Sequence, residues 1–205
     1  MTRKALALSG AVEGPLDEAV LRRLTQHLGL ELGTVYGKNG KHAIRDHMAG
    51  YNNAARFSPW CVLVDLDDDA PCPGELRQQW LPSPAEHMRF RIAVREVESW
   101  VLADRERIAR FLGVAPALVP ENPEGLDDPK RVLVDLAARS RSGDIRHGLA
   151  PRSGSGRAVG PTYSAQLMEF VEDRLHGWRP GIAAEKAASL SRCLNRLAEF
   201  LGGRP

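Results

Sequence analysis

Apolar and polar positions along the chain switch repeatedly between two periods. Trp60-Cys-Val-Leu-Val-Asp65 is a short, nearly unbroken apolar run, the pattern of a central strand buried on both faces. Lys4–Ser9 reads as a first strand that breaks at Gly10, Leu30–Tyr36 as a second, and Met88–Val94, which alternates, as a fourth. Between the first two strands, Val20, Leu21, Leu24 and Leu28 recur at helical spacing. Asp17 and Glu18 fall in that helix's first turn, where acids suit the dipole, and Gly29 is placed to cap its end. Further helices are predicted from His42 to about Arg56, over Gly74–Leu81 and from Glu98 to Leu112. Strand and helix taking turns predict an α/β fold: a mostly parallel sheet with helices on both faces.

After Gly113 the pattern changes. A Pro-rich loop over 115–129 precedes a helix from Lys130 to about Arg139. Tyr163–Leu175 and Ile182–Leu201 read as two closing helices, the last with a stripe of Leu190, Leu194, Leu197 and Leu201. The expected organisation is an α/β domain over 1–113 and a helical C-terminal extension over 114–205 packed on it. Residues 140–161, rich in Gly, Ser and Arg, are expected to be mobile.

Composition narrows the classes. The net charge of +2 over 205 residues gives no bulk attraction to nucleic acid, so any basic surface must be local. No apolar run approaches the roughly 18 residues of a spanning helix, so no membrane is expected as a partner. The first residues reach an acid at Glu13 too soon for a secretion signal. Cys61, Cys72 and Cys193 are odd in number and match no zinc pattern, which suits a cytoplasmic location. The six histidines show no HExxH spacing, and no G-x-x-x-x-G-K-[ST] segment is present.

The candidate chemistry lies in the acids. In a parallel sheet, Glu13 after the first strand and Asp65 and Asp67 after the third arrive at the same edge, where open α/β sheets place ligands. Two carboxylates about 4 Å apart repel by roughly 4 kcal/mol at an effective dielectric of about 20. A hard divalent cation, Mg²⁺ or Mn²⁺, is the usual compensation. Asp65 and Asp67 point to one side if the chain stays extended between them; the other reading of Asp67–Asp69 is a solvated acidic loop. Glu98 either extends the acid site to a second metal ion or is a helix-start acid. Lys130 is either an electrophile steadying charge on phosphate or a surface lysine. Arg141, Arg146, Arg152 and Arg157, spaced by Gly and Ser, suit a clamp on a nucleic-acid backbone or a solvated loop. Lys38 and Lys41 offer a weaker version of that clamp.

Several motifs resemble a known family. Val12-Glu-Gly-Pro-Leu-Asp17-Glu resembles the first signature of Toprim domains, and Leu63-Val-Asp65-Leu-Asp67 resembles their Asp-x-Asp signature. Arg95-Glu-Val-Glu98-Ser-Trp100-Val-Leu-Ala-Asp104 is similar to an E-x-W-L-L-A-D segment of small Toprim-like proteins, the DUF4276 family. Asp128-Pro-Lys130 and Ser189-Leu-Ser-Arg192 resemble that family's C-terminal part. The resemblance implies a Toprim-like (Rossmannoid) fold and a divalent-metal-dependent nuclease cutting DNA or RNA. It implies Glu13, Asp65 and Asp67 as metal acids, with Glu13 partly a general acid or base, and Glu98 and Lys130 in support. It also implies a role as effector of a two-component anti-phage system with an ABC- or AAA-type ATPase partner. Leu16 departs from the pattern, standing where many relatives carry a small hydroxyl residue. No tyrosine-bearing cleavage domain or primase zinc module is present, which argues against a topoisomerase or a primase. Two alternatives stay open: a non-catalytic adaptor binding an ATPase or nucleic acid, and an Asp-x-Asp phosphatase, which wants its acid pair after the first strand.

Overall fold

The computed structural model describes residues 7–202. Four strands, β1 (Leu8–Val12), β2 (Leu32–Gly37), β3 (Trp60–Asp65) and β4 (Met88–Ala93), form one sheet in the order β2-β1-β3-β4. All three pairings are parallel, so every strand delivers its C-terminus to one edge. Helix α1 (Pro15–Leu28) joins β1 to β2, α2 (Lys41–Ala54) joins β2 to β3, and α3 (Pro73–Trp80) joins β3 to β4. The chain steps outward from β1 to β2, then crosses back over β1 to place β3 on its other side. That reversal opens a crevice between the carboxyl ends of β1 and β3, the usual ligand position in a Rossmann-like sheet.

The side-chain period of two divides the strands between two cores. Leu8, Val12, Cys61, Leu63 and Ala93 face a large core built with α1, α4 (Val97–Ala103) and α5 (Arg105–Leu112). Trp60, Val62, Val64, Phe90 and Ile92 face a smaller core under α2 and α3. The large core continues into the C-terminal half through Leu133, Leu149, Leu167, Trp178, Leu190 and Leu197. The leucines come from α6 (Pro129–Ala138), α7 (Gly143–Leu149), α8 (Tyr163–Glu172) and α10 (Ala188–Ala198), Trp178 comes from the loop after α8, and the single turn α9 (Pro180–Ala183) contributes Ala183.

Three expectations need correction. The first strand does not break at Gly10: it runs from Leu8 to Val12, and residues 4–6 of the expected strand lie outside the described residues. A Cβ at Gly10 would come within 2.8 Å of Leu21 Cδ2, so glycine here lets α1 pack close on β1. Each of two long helices is split. Asp104 ends α4 with a non-helical backbone, and its buried carboxylate grips Arg179 through two side-chain bonds of 2.9 and 2.7 Å. The segment over 182–201 divides likewise, the turn α9 and the helix α10 being separate. Residues 140–161 are partly helical. They hold α7, capped by the Ser142 hydroxyl, and Gly148, Leu149 and Ala150 are buried; an irregular exposed stretch follows only from Arg152.

Candidate functional site

Glu13 and Asp65 meet across the β1–β3 crevice. Glu13 Oε1 accepts the Asp65 N–H at 2.8 Å, and Asp65 Oδ1 in turn accepts the Val97 N–H at 2.9 Å. The second bond ties the end of β3 to the first turn of α4, which presents orphan donors and the positive end of its dipole. Asp17, in the first turn of α1, reaches back to accept the Gly14 N–H at 2.9 Å. Its other oxygen, Oδ1, is buried with no hydrogen-bond partner among the described residues. Glu98, one residue into α4, is buried and receives the Tyr163 hydroxyl at 3.0 Å.

These four carboxyls act on one another. Burial and then the charges of Asp67 and Asp69 push Glu13 up to about 7, against the opposing pull of the Asp65 N–H and Lys41. Asp17 is raised by burial and by the charges of Glu13 and Glu98. Asp65 stands well above the carboxylate range through burial and the charges of Asp17, Glu98, Glu13 and Asp67. Glu98 is raised by burial and by Glu96, with Lys130 and Tyr163 pulling the other way. A group of carboxyls that cannot all ionise comfortably is characteristic of functional sites.

Two lysines flank the group. Lys130, in the first turn of α6, places Nζ 2.7 Å from Glu96 Oε1 and 3.7 Å from Glu98 Oε1, while its N–H bonds Glu96 Oε2 at 3.1 Å. Burial works against its charge, but Glu98 and Glu96 more than offset that and hold it protonated. Lys130 is thus not a free surface lysine, and Glu96 is its main partner. On the other side Lys41 Nζ bonds Asp67 Oδ2 at 2.6 Å and Asp69 Oδ2 at 2.7 Å.

Asp67 differs from expectation. β3 ends at Asp65, and Asp67 adopts φ 47°, so the extended geometry that would align the two side chains does not form. Arg95 faces it with φ 28°. The two exit loops are laced by Asp67 N–H to Arg95 O at 2.9 Å, Arg95 Nη1 to Asp67 O at 2.9 Å and Arg95 Nη1 to Asp68 Oδ1 at 2.8 Å. Two left-handed non-glycine residues side by side store backbone strain at the acidic edge. Asp67 acts on Glu13 and Asp65 through charge, while its own carboxylate is turned to Lys41.

The other basic candidates scatter. Lys38 pairs with Glu18 at 3.0 Å. Arg146 bonds Ser140 O at 2.6 Å and so closes the α6–α7 corner, a structural task. Arg141, Arg152 and Arg157 are exposed. Asp17 and Tyr163 are the site residues that the sequence did not single out. Asp17 stood in a Gly-x-x-Asp helix start, a pattern equally good for an exposed cap, and no local signal distinguishes the buried case.

Among the described residues, no three His, Cys, Asp or Glu side chains are arranged as a ready-made ligand set for a metal ion. The oxygens nonetheless are of the type Mg²⁺ and Mn²⁺ accept, and those of Glu13, Asp17 and Asp65 are steered by main-chain N–H groups. No helix among the described residues is long and apolar enough to cross a membrane. Comparison with models of protein families, with curated proteins and with solved structures gave no match. The fold and site therefore define a Rossmann-like parallel α/β protein with a carboxylate cluster at its switch point.

Proposed function

We propose that the chain is a divalent-metal-dependent phosphodiester hydrolase of Toprim type, a nuclease acting on DNA or RNA. One observation carries this reading: Glu13, Asp17, Asp65 and Glu98 gather at the β1–β3 crevice with raised pKa values and, among the described residues, one buried unpartnered oxygen, Asp17 Oδ1. Glu13, Asp17 and Asp65 would hold a Mg²⁺ or Mn²⁺ ion, with Glu98 available for a second and Asp67 contributing charge. The ion would supply a Lewis acid for phosphate and a more acidic bound water. Glu13, raised to about 7, can take up or give a proton near neutral pH, which suits a general acid or base. Lys130 brings a fixed positive charge to the side of the cluster nearest Glu98, where it suits a phosphate oxygen. The ATPase partner and the anti-phage role rest on the DUF4276 resemblance alone.

The adaptor reading has its own support: Lys41 already occupies Asp67 and Asp69. Cleavage of labelled DNA and RNA with Mg²⁺ or Mn²⁺, alone and with a candidate ABC- or AAA-type ATPase, separates the two. The nuclease reading expects cutting that disappears in Asp65→Ala. Intact substrates under every condition, with Asp65→Ala still active in cells, would establish the adaptor.

A further inference from the structure

The edge strand β4 borders a second feature that the acid site does not use. A groove of about 460 Å³ runs between α3 and α10, with Phe90 and Ile92 in its lining. A smaller groove adjoins it toward Met88, and the two together present Arg77, Arg89, Arg91, Arg192 and Arg196 against one carboxylate, Glu199. Glu199 is already engaged by Arg89 at 3.0 Å and Arg196 at 2.6 Å. Arg77, Arg91 and Arg192 have no acidic partner among the described residues, and Arg91 Nε is buried without a hydrogen bond. Near Arg91 lie the thiols of Cys61 and Cys193, both raised by burial, and the Cys193 sulfur shares a hydrogen bond with its guanidinium.

We infer that this groove binds the phosphodiester backbone of a nucleic-acid strand. Guanidinium groups without carboxylate partners match phosphate in charge and in their two-pronged geometry. From Met88 to Ile92 the strand spans roughly 13 Å at about 3.3 Å per residue, long enough to face more than one phosphate of a strand. The groove also leads to the right place. Ile92 pairs in register with Val64, one residue before Asp65, and Pro73 and Gly74 at the same end follow the Asp67–Asp69 loop. A strand lying along β4 would therefore be delivered to the acidic edge. This assignment departs from the basic segment 141–157 singled out by composition.

The inference rests on the chain acting on nucleic acid, and its test is made independent of cutting. Binding of labelled single-stranded DNA and RNA is measured by fluorescence anisotropy with Asp65→Asn protein in EDTA, over about 50–200 mM salt. Arg77 and Arg192 are exposed and have no acidic partner among the described residues, so Arg77→Ala/Arg192→Ala should leave the fold intact. The double variant should bind about tenfold or more weakly, with a salt slope smaller by about 1.4, two contacts at about 0.7 each. Arg91→Gln should weaken binding as well. Unchanged affinity and slope in the double variant would overturn the assignment. So would tighter binding of a polyglutamate peptide than of either oligonucleotide, which would make the groove a protein-docking edge. Binding that follows this pattern in a protein that never cuts would leave the groove standing and remove the nuclease reading alone.

Discussion

Glu13 Oε1 and the Asp65 N–H, 52 residues apart in sequence, are joined by a 2.8 Å hydrogen bond across the switch point of the sheet. The bond fixes the carboxyl that follows β1 against the end of β3. It depends on topology: only because β2 lies outside β1 do β1 and β3 become neighbours with their C-termini side by side. Everything else at the acidic edge, from Asp17 on α1 to Glu98 on α4, is placed around that joint.

Asp65→Asn should separate stability from activity. The amide keeps an oxygen for the Val97 N–H but removes a charge repelled by Asp17, Glu98 and Glu13. The metal-free variant should melt a few degrees higher than wild type at pH 8, since about 1 kcal/mol corresponds to roughly 2–4 °C at this size. Cleavage should fall about a thousandfold, the several kcal/mol expected of a lost metal carboxylate. Differential scanning fluorimetry and a cleavage assay on the same preparation check both halves.

The pH dependence follows from the direction of the shifts. The folded pKa of Glu13 is about 7, above its ordinary 4.5, so its neutral form is the one the fold favours. Its contribution to stability is fully present below about pH 4.5 and is lost as pH rises through about 7. Asp17 and Asp65 shift the same way. Metal-free protein should therefore lose several degrees of melting temperature between about pH 5.5 and 8, and millimolar Mg²⁺ should restore more at pH 8 than at pH 5.5. A melting temperature that rises over the same interval without metal would contradict the burial of these acids.

Lys130→Met should cost both fold and function. The ammonium bonds Glu96 at 2.7 Å and stands 3.7 Å from buried Glu98. Leaving those carboxylates without it should cost about 2 kcal/mol, a drop of roughly 4–8 °C. Much of that loss should return at low pH, where Glu98 protonates. Thermal melts of the variant at two pH values give the answer.

Ser189→Ala probes how the C-terminal half holds α4. The Ser189 hydroxyl takes the Trp100 indole N–H at 2.7 Å and the Val94 N–H at 3.2 Å, and donates to Glu124. The substitution leaves two donors unpaired, one of them buried, and should cost about 2–4 kcal/mol while the acids themselves stay untouched. Urea unfolding monitored by tryptophan fluorescence measures it.

Much of this fold was legible because burial writes a local signature. β3 announced itself as an apolar run closed by acids, and it occupies the predicted residues. Gly29 caps α1 in the left-handed conformation expected of it. The failures share a cause in long-range contacts. Gly10 looked like a strand breaker because the Leu21 side chain that requires it lies 11 residues away, on α1. Asp104 looked like an ordinary helical position because Arg179, which holds it, is 75 residues distant. At the site, the convergence of Glu13 and Asp65 could be anticipated from a parallel sheet. Asp17 could not, since only tertiary burial distinguishes it from a surface cap, and Asp67 turned aside because a left-handed residue ended the alternation.

The most direct test of the central claim is Mn²⁺ binding, followed by titration calorimetry or by loss of the free-ion electron paramagnetic resonance signal. At about pH 8 the wild-type protein should take up Mn²⁺ stoichiometrically, binding should weaken sharply near pH 5.5, and Asp65→Asn with Glu13→Gln should abolish it. Wild-type protein that leaves all the Mn²⁺ free at pH 8, or a double variant that binds it equally well, would contradict the assignment of the β1–β3 carboxylates as a metal site.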